Sequence, residues 1–210
     1  MRYRLVIFDF DGTLANSLAW FRVAINEAAA LHGFRRTSAG ELEALRSKGP
    51  GEIMRHLDIP VWKVPRVVRT MRAAMSRDIE RIPLFDGVGE LLRRLRAAGI
   101  ALAVVTSNSR DNVSRILGPQ NALLFDFYAC GVPVMGKRAR FRKLVRESGF
   151  APREVLCVGD ELRDLDAAQQ EGLAFGGVSW GYSAPEALAG RSPSVMFHRL
   201  DEIFEHVATG

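Results

Sequence analysis

Three observations predict an α/β fold: a parallel, doubly wound sheet with an inserted group of helices. Apolar runs recur without polar alternation at residues 5–8 (LVIF), 100–105 (IALAVV) and 155–158 (VLCV). Strands that read this way are covered on both faces, as parallel strands are. Segments of helical period separate these runs. Between residues 16 and 83, finally, only helical periods occur, which is more chain than a simple crossover between parallel strands needs.

In order along the chain, the first strand ends at Asp9 and Asp11. Leu18, Phe21, Ile25 and Ala28 then fall at helical spacing. SAGELEALRS starts a short helix capped at Ser38, and GEIMRHL another capped near Gly49. A longer helix follows Pro65. Val88, Leu91, Leu92 and Leu95 make one apolar stripe, with Asp86 as its cap and Gly99 at its end. After the strand at 100–105, weaker apolar runs at 124–129 and 173–178 lie before and after VLCV. Phe141, Leu144, Val145 and Ser148 mark a helix closed by Gly149, and Leu162, Leu165 and Ala168 one closed by Gly172. Val195 to Phe197 reads as an edge strand, and Leu200, Ile203, Phe204 and Val207 as a terminal helix. Residues 1–14 and 84–210 are thereby assigned to a Rossmann-like α/β core, and 15–83 to an inserted α-helical cap domain.

The chain has 210 residues, 48% apolar and 25% charged, enough for a well-buried core. The net charge of +5 comes from arginines scattered along helices without interleaved aromatics, so it reads as solvated helix faces rather than a nucleic-acid surface. No apolar run approaches the ~18 residues of a membrane span, and no secretory signal is visible. Cys130 and Cys157 lie 27 positions apart, outside any metal-ligand spacing, and read as reduced thiols of a cytoplasmic protein. His32, His56, His198 and His206 show no ligand spacing either. Trp20, Trp62 and Met71 read as cap core. Arg46 and Lys48, beside a Gly-Pro-Gly turn, read as an exposed basic turn.

The chemistry concentrates in YRLVIFDFDGTLANS. In extended chain, i and i+2 share a face, so Asp9 and Asp11 point the same way while Phe10 points into the core. Ligands of open α/β sheets bind at the carboxyl ends of the strands, where this pair sits. Close, partly buried carboxylates persist only when a cation or a shared proton compensates them. Mg²⁺, a hard ion preferring oxygen, is the natural candidate. Three further polar placements agree with this edge. Thr106 and Ser107 end the second apolar strand, Lys137 stands ahead of a helix, and Asp160 ends a third strand with Asp164 four residues on. Asp164 reads equally as a first-turn helix charge and as a metal contact.

These motifs resemble the haloacid dehalogenase (HAD) superfamily, and within it phosphatases related to phosphoglycolate phosphatase. FDFDGTLANS resembles the first family motif, Thr106 the second, Lys137 the third and GDELRD the fourth; the helical insertion is similar to the family's cap. The third motif departs from the family's Lys-Pro-x-Pro, with Arg138 and Arg140 at the proline positions, and Lys143 is a competing lysine inside the helix. The resemblance implies an HAD-like core and a phosphoric monoester hydrolase. Asp9 is then the nucleophile that forms an aspartyl-phosphate, and Asp11 the acid and base. Mg²⁺ is held by Asp9, the Asp11 backbone carbonyl and Asp160, with Asp164 as a further or water-mediated contact. Thr106 and Lys137 hold the phosphoryl oxygens. The expected partner is a small phosphorylated metabolite, with no nucleic acid or membrane, and the protein is a monomer or homodimer. A sugar phosphomutase uses the same aspartates and stands as the alternative, as does a catalytically silent binding protein of the same fold.

Overall fold

The computed structural model describes residues 3–134 and 136–209. Six parallel strands form one sheet: β1 (Leu5–Phe8), β2 (Ala101–Val105), β3 (Phe127–Ala129), β4 (Val155–Gly159), β5 (Ala174–Val178) and β6 (Val195–Phe197). Their order is β3-β2-β1-β4-β5-β6. The chain runs outward from β1 to β3, then returns to β1's other side with β4. This reversal opens a crevice at the carboxyl ends of β1, β2 and β4, where a ligand site is expected.

Both faces of the sheet are covered, which explains the unbroken apolar runs. Val6 and Phe8 pack with α5 (Val88–Ala97), α6 (Arg110–Ala122) and α10 (Leu200–Thr209) on one side. Leu5 and Ile7 pack with α7 (Lys137–Ser148), α8 (Leu162–Gln170) and α9 (Pro185–Ala189) on the other. Between β1 and α5 lie four more helices: α1 (Leu18–His32), α2 (Ala39–Leu45), α3 (Pro50–His56) and α4 (Val64–Arg77). They bury a separate apolar cluster of Ile25, Ala28, Ala29, Phe34, Leu45, Leu57 and Val67. Ser38 caps α2 in a reciprocal box with Glu41, whose backbone N–H donates to Ser38 Oγ at 3.2 Å. No described helix is long and apolar enough to cross a membrane.

Four local expectations change. Asp86 does not cap α5; Gly87, at φ 92°, occupies that position, and no side chain bonds the helix start. The run at 124–129 yields only three strand residues, because Asp126 takes the β2 edge with its side chain: Leu102 N donates to Asp126 Oδ2 at 2.9 Å. α6 and α9 were not anticipated. In α6, Gly118 (φ 72°) and Pro119 interrupt the periodicity, so its start is marked only by the Ser109 cap. Trp62 is not cap core but 73% exposed.

Candidate active site

The carboxyl end of β1 brings Asp9 to the crevice, buried and anchored by donation of its N–H to Val158 O on β4 at 2.9 Å. At Gly12 the chain turns back with φ 84°, and a Cβ there would run into the Asp160 carboxylate and the Tyr182 ring. Only glycine combines that dihedral with that approach. The turn delivers Thr13, whose hydroxyl donates to Asp160 Oδ1 at 2.6 Å, while Tyr182 N–H donates to Asp160 Oδ2 at 2.7 Å. Asp160, just past β4, is thus held by both oxygens and is fully buried. Asp164, in the first turn of α8, reaches the same point. Oxygens of Asp9, Asp160 and Asp164 all lie within 4.8 Å of one another.

Lys137 meets them as the first residue of α7 rather than ahead of it. Its Nζ lies 2.7 Å from Asp9 Oδ1 and 2.5 Å from Asp164 Oδ1, and the side chain is 3% exposed. Burial works against this ammonium, but Asp164 and Asp9 outweigh it and raise its pKa. One lysine does not balance three buried carboxylates. Burial, and then the charge of Asp9, pushes the Asp160 carboxyl well above its ordinary range. Asp164 is also raised by burial, with Lys137 opposing. The excess negative charge on an all-oxygen donor set is the environment a hard divalent cation fits. Lys143, the competing lysine, is half-exposed and pairs with Glu147 at 3.5 Å.

Asp11 is not part of that trio. Its carboxylate faces a cavity and accepts from Asn108 Nδ2 at 3.1 and 3.3 Å. The Asn108 amide has one orientation open to it, since its Oδ1 accepts from Ser109 N at 2.8 Å and Asn112 Nδ2 at 3.0 Å. Burial, then the charge of Asp9, lifts the Asp11 pKa to about 7, against hydrogen bonds from Asn108 and Ser17 that pull it down. Asp11 is therefore set apart from the metal-like trio as a carboxyl that holds a proton near neutrality. Thr106 connects to it through the same residue, as Thr106 Oγ1 accepts from Asn108 N at 3.0 Å. Sequence reading missed Asn108, although it stands two positions after Thr106 in TSNS; nothing in the pattern separates it from a surface asparagine.

In the basic turn Lys48 is exposed as expected, but Arg46 departs from the expectation. Arg46 is not exposed: its Nε donates to Tyr182 O and a terminal nitrogen to Gly181 O, both at 3.1 Å. Ala184 N–H donates back to Arg46 O at 2.9 Å. A residue beyond α2 is thus tied to the loop that holds Asp160. On the opposite side, Arg72 of α4 donates to Ser107 O at 2.7 Å, and Asn112 Nδ2 to Arg72 O at 3.0 Å. Glu161 pairs with Arg163 at 2.5 Å, and Arg138 and Arg142 both pair with Glu171.

Comparison with known proteins gives the family. The family model of the haloacid dehalogenase-like hydrolases matches residues 6–178. A phosphoglycolate phosphatase of Synechococcus elongatus is 31% identical over 203 residues, covering 96% of each chain. The tyrosine-protein kinase PtkA of Mycobacterium tuberculosis is 30% identical, covering 96% of this chain and 72% of its own. A crystal structure of a predicted phosphatase from Clostridium acetobutylicum superposes with a TM-score of 0.84 over 100% of both chains at 20% identity.

Proposed function

Because the chain belongs to the haloacid dehalogenase-like hydrolases and is a phosphatase of that family, we propose that it hydrolyses small phosphomonoesters through an aspartyl-phosphate on Asp9, with Mg²⁺ as cofactor. One observation carries the reading: Lys137 and the Asp9–Asp160–Asp164 trio share the crevice, while Asp11 stands beside them with its pKa lifted to about 7. Residues 15–83 form the cap and 1–14 with 84–210 the core. Free thiols at Cys130 and Cys157 support a reducing, cytoplasmic setting.

Asp9 attacks phosphorus and the P–O bond to the alcohol breaks. Asp11 gives its proton to the departing oxygen, then takes one from the water that hydrolyses the aspartyl-phosphate. Asn108 holds Asp11 toward the cavity where that oxygen lies. Thr106 and Lys137 donate to the phosphoryl oxygens, a fixed positive surface for charge that builds in the transition state. The Asp9 and Asp160 carboxylates and the Asp11 backbone carbonyl would hold Mg²⁺, with Asp164 in direct or water-mediated contact. When bound, it supplies charge that screens nucleophile from phosphate. Arg46 and Arg72 hold the cap down, so that water is kept from the site during attack.

Phosphate release from acetyl phosphate and alkyl phosphates, with and without Mg²⁺, tests the reading, with acid-stable trapping of the phosphoenzyme. With sugar phosphates as further substrates, isomerised product in place of free phosphate assigns the chain to the phosphomutases instead. Absence of turnover on every ester leaves the binding-protein alternative.

A further inference from the structure

Between cap and core lies a cavity of about 290 Å³, with Asp11 and Asn108 at its core end. From there it runs into the cap, whose side is walled by Phe21, Ile25, Leu45, Ile53, Leu57 and Met71. Ile25, Leu45 and Leu57 belong to the cap's own apolar cluster, so the void penetrates the cap instead of ending on its surface. α3 contributes to this wall yet buries no residue fully. A mostly apolar recess of this size, open at its mouth, is room for an apolar group of a ligand.

The charges around it are already engaged. Arg46, Arg72 and Arg163 donate to backbone carbonyls of Tyr182, Ser107 and Val134. Toward the mouth, Arg22 pairs with Glu43 at 2.6 Å and Lys48 with Glu52 at 3.4 Å. These are all the cationic side chains on the wall among the described residues. Two acidic side chains, Asp11 and Glu161, line the cavity as well. A leaving group with its own carboxylate would meet cations already bonded elsewhere, Arg163 being paired with Glu161 as well.

Building on the phosphatase reading, we infer that the substrate is a phosphomonoester with an apolar leaving group, an alkyl or aryl phosphate whose tail enters the cap. The cavity is about twice the ~150 Å³ that takes up a benzene ring, which suits a bicyclic aryl group or an alkyl chain of about eight carbons.

The test is a chain-length series with Mg²⁺: ethyl, butyl, hexyl and octyl phosphate against 2-phosphoglycolate, with acetyl phosphate as the activity reference. kcat/KM is expected to rise about two- to fourfold per methylene until the cavity is full, with 2-phosphoglycolate below butyl phosphate. Met71→Trp, which fills the cap end, is expected to lower the octyl-to-ethyl ratio by about tenfold or more. Calorimetry gives a readout free of turnover: octylphosphonate is expected to bind at least tenfold tighter than ethylphosphonate. A flat series with phosphoglycolate preferred, or equal binding of the two phosphonates, overturns the apolar leaving group while acetyl phosphate turnover leaves the phosphatase reading standing. Failure to release phosphate even from acetyl phosphate overturns that reading, and the inference with it.

Discussion

Lys137→Met removes the one ammonium among three buried carboxylates while keeping most of the side-chain volume. In the native protein Nζ sits 2.7 Å from Asp9 and 2.5 Å from Asp164, 3% exposed. At an effective dielectric of ~20, each such contact is worth about 6 kcal/mol of Coulomb energy, against a desolvation penalty of several kcal/mol per ion. What remains after removal is three buried carboxylates with Arg163 as the remaining nearby positive charge, and breaking a buried pair in this way costs about 3–5 kcal/mol. The loss depends on pH in a definite direction. Without the lysine, the Asp164 carboxyl rises further above its ordinary range, and a raised carboxyl destabilises increasingly as pH climbs from the unfolded value toward the folded one. Urea unfolding in EDTA should therefore show about 3–5 kcal/mol lost at pH 8 and less at pH 5, where the raised Asp164 carboxyl is neutral. Asp164→Asn in the Lys137→Met background should recover part of it. Lys143→Met, half-exposed in an i,i+4 pair, should change stability by no more than about 0.5 kcal/mol. A Lys137→Met loss below about 1 kcal/mol at pH 8, or an equal loss at both pH values, refutes the view that this lysine compensates buried charge.

Asp9→Asn is expected to abolish turnover and any phosphoenzyme, whereas Asp11→Asn should lose ~10²–10⁴ in rate on an alkyl phosphate and far less on acetyl phosphate; equal loss on both removes the acid–base role of Asp11. In the metal-free protein the Asp11 carboxyl should titrate near pH 7 by ¹³C NMR. Asn108→Ala should move that titration higher, because the amide bond is one of the interactions holding it down; a downward move contradicts the assigned geometry. The same raised pKa means that Asp11 favours the folded metal-free state below its unfolded value of 3.8 and loses that contribution as pH rises through about 7. Arg46→Ala deletes the side-chain bonds to the loop holding Asp160. It should raise KM severalfold and increase the radius of gyration in solution scattering, and an unchanged radius with unchanged KM removes Arg46 from cap closure.

By itself the sequence determined the sheet and its polar edge. Unbroken apolar runs at β1, β2 and β4 require burial on both faces, and Asp9, Thr106 and Asp160 each follow such a run, so the strand ends had to present them together. The cap was legible too, because Ser38 and Gly49 sit at real helix starts and no strand pattern competes with them. Lys137 was legible from its place in the motif order, but its position between Asp9 and Asp164 was not, since α7 and α8 meet there only when packed on one sheet face. Tertiary structure alone decided which polar groups are partners. Asn108 faces Asp11 because Ser109 and Asn112 fix its amide, and Arg46 turns from an exposed basic loop into a tie to residues 181–183, some 135 positions away. Local pattern encodes which face of an element is buried; it does not encode what a polar side chain meets across a gap between two separately folded layers. The cavity at Asp11 is set by that gap, and so is the choice of what enters it.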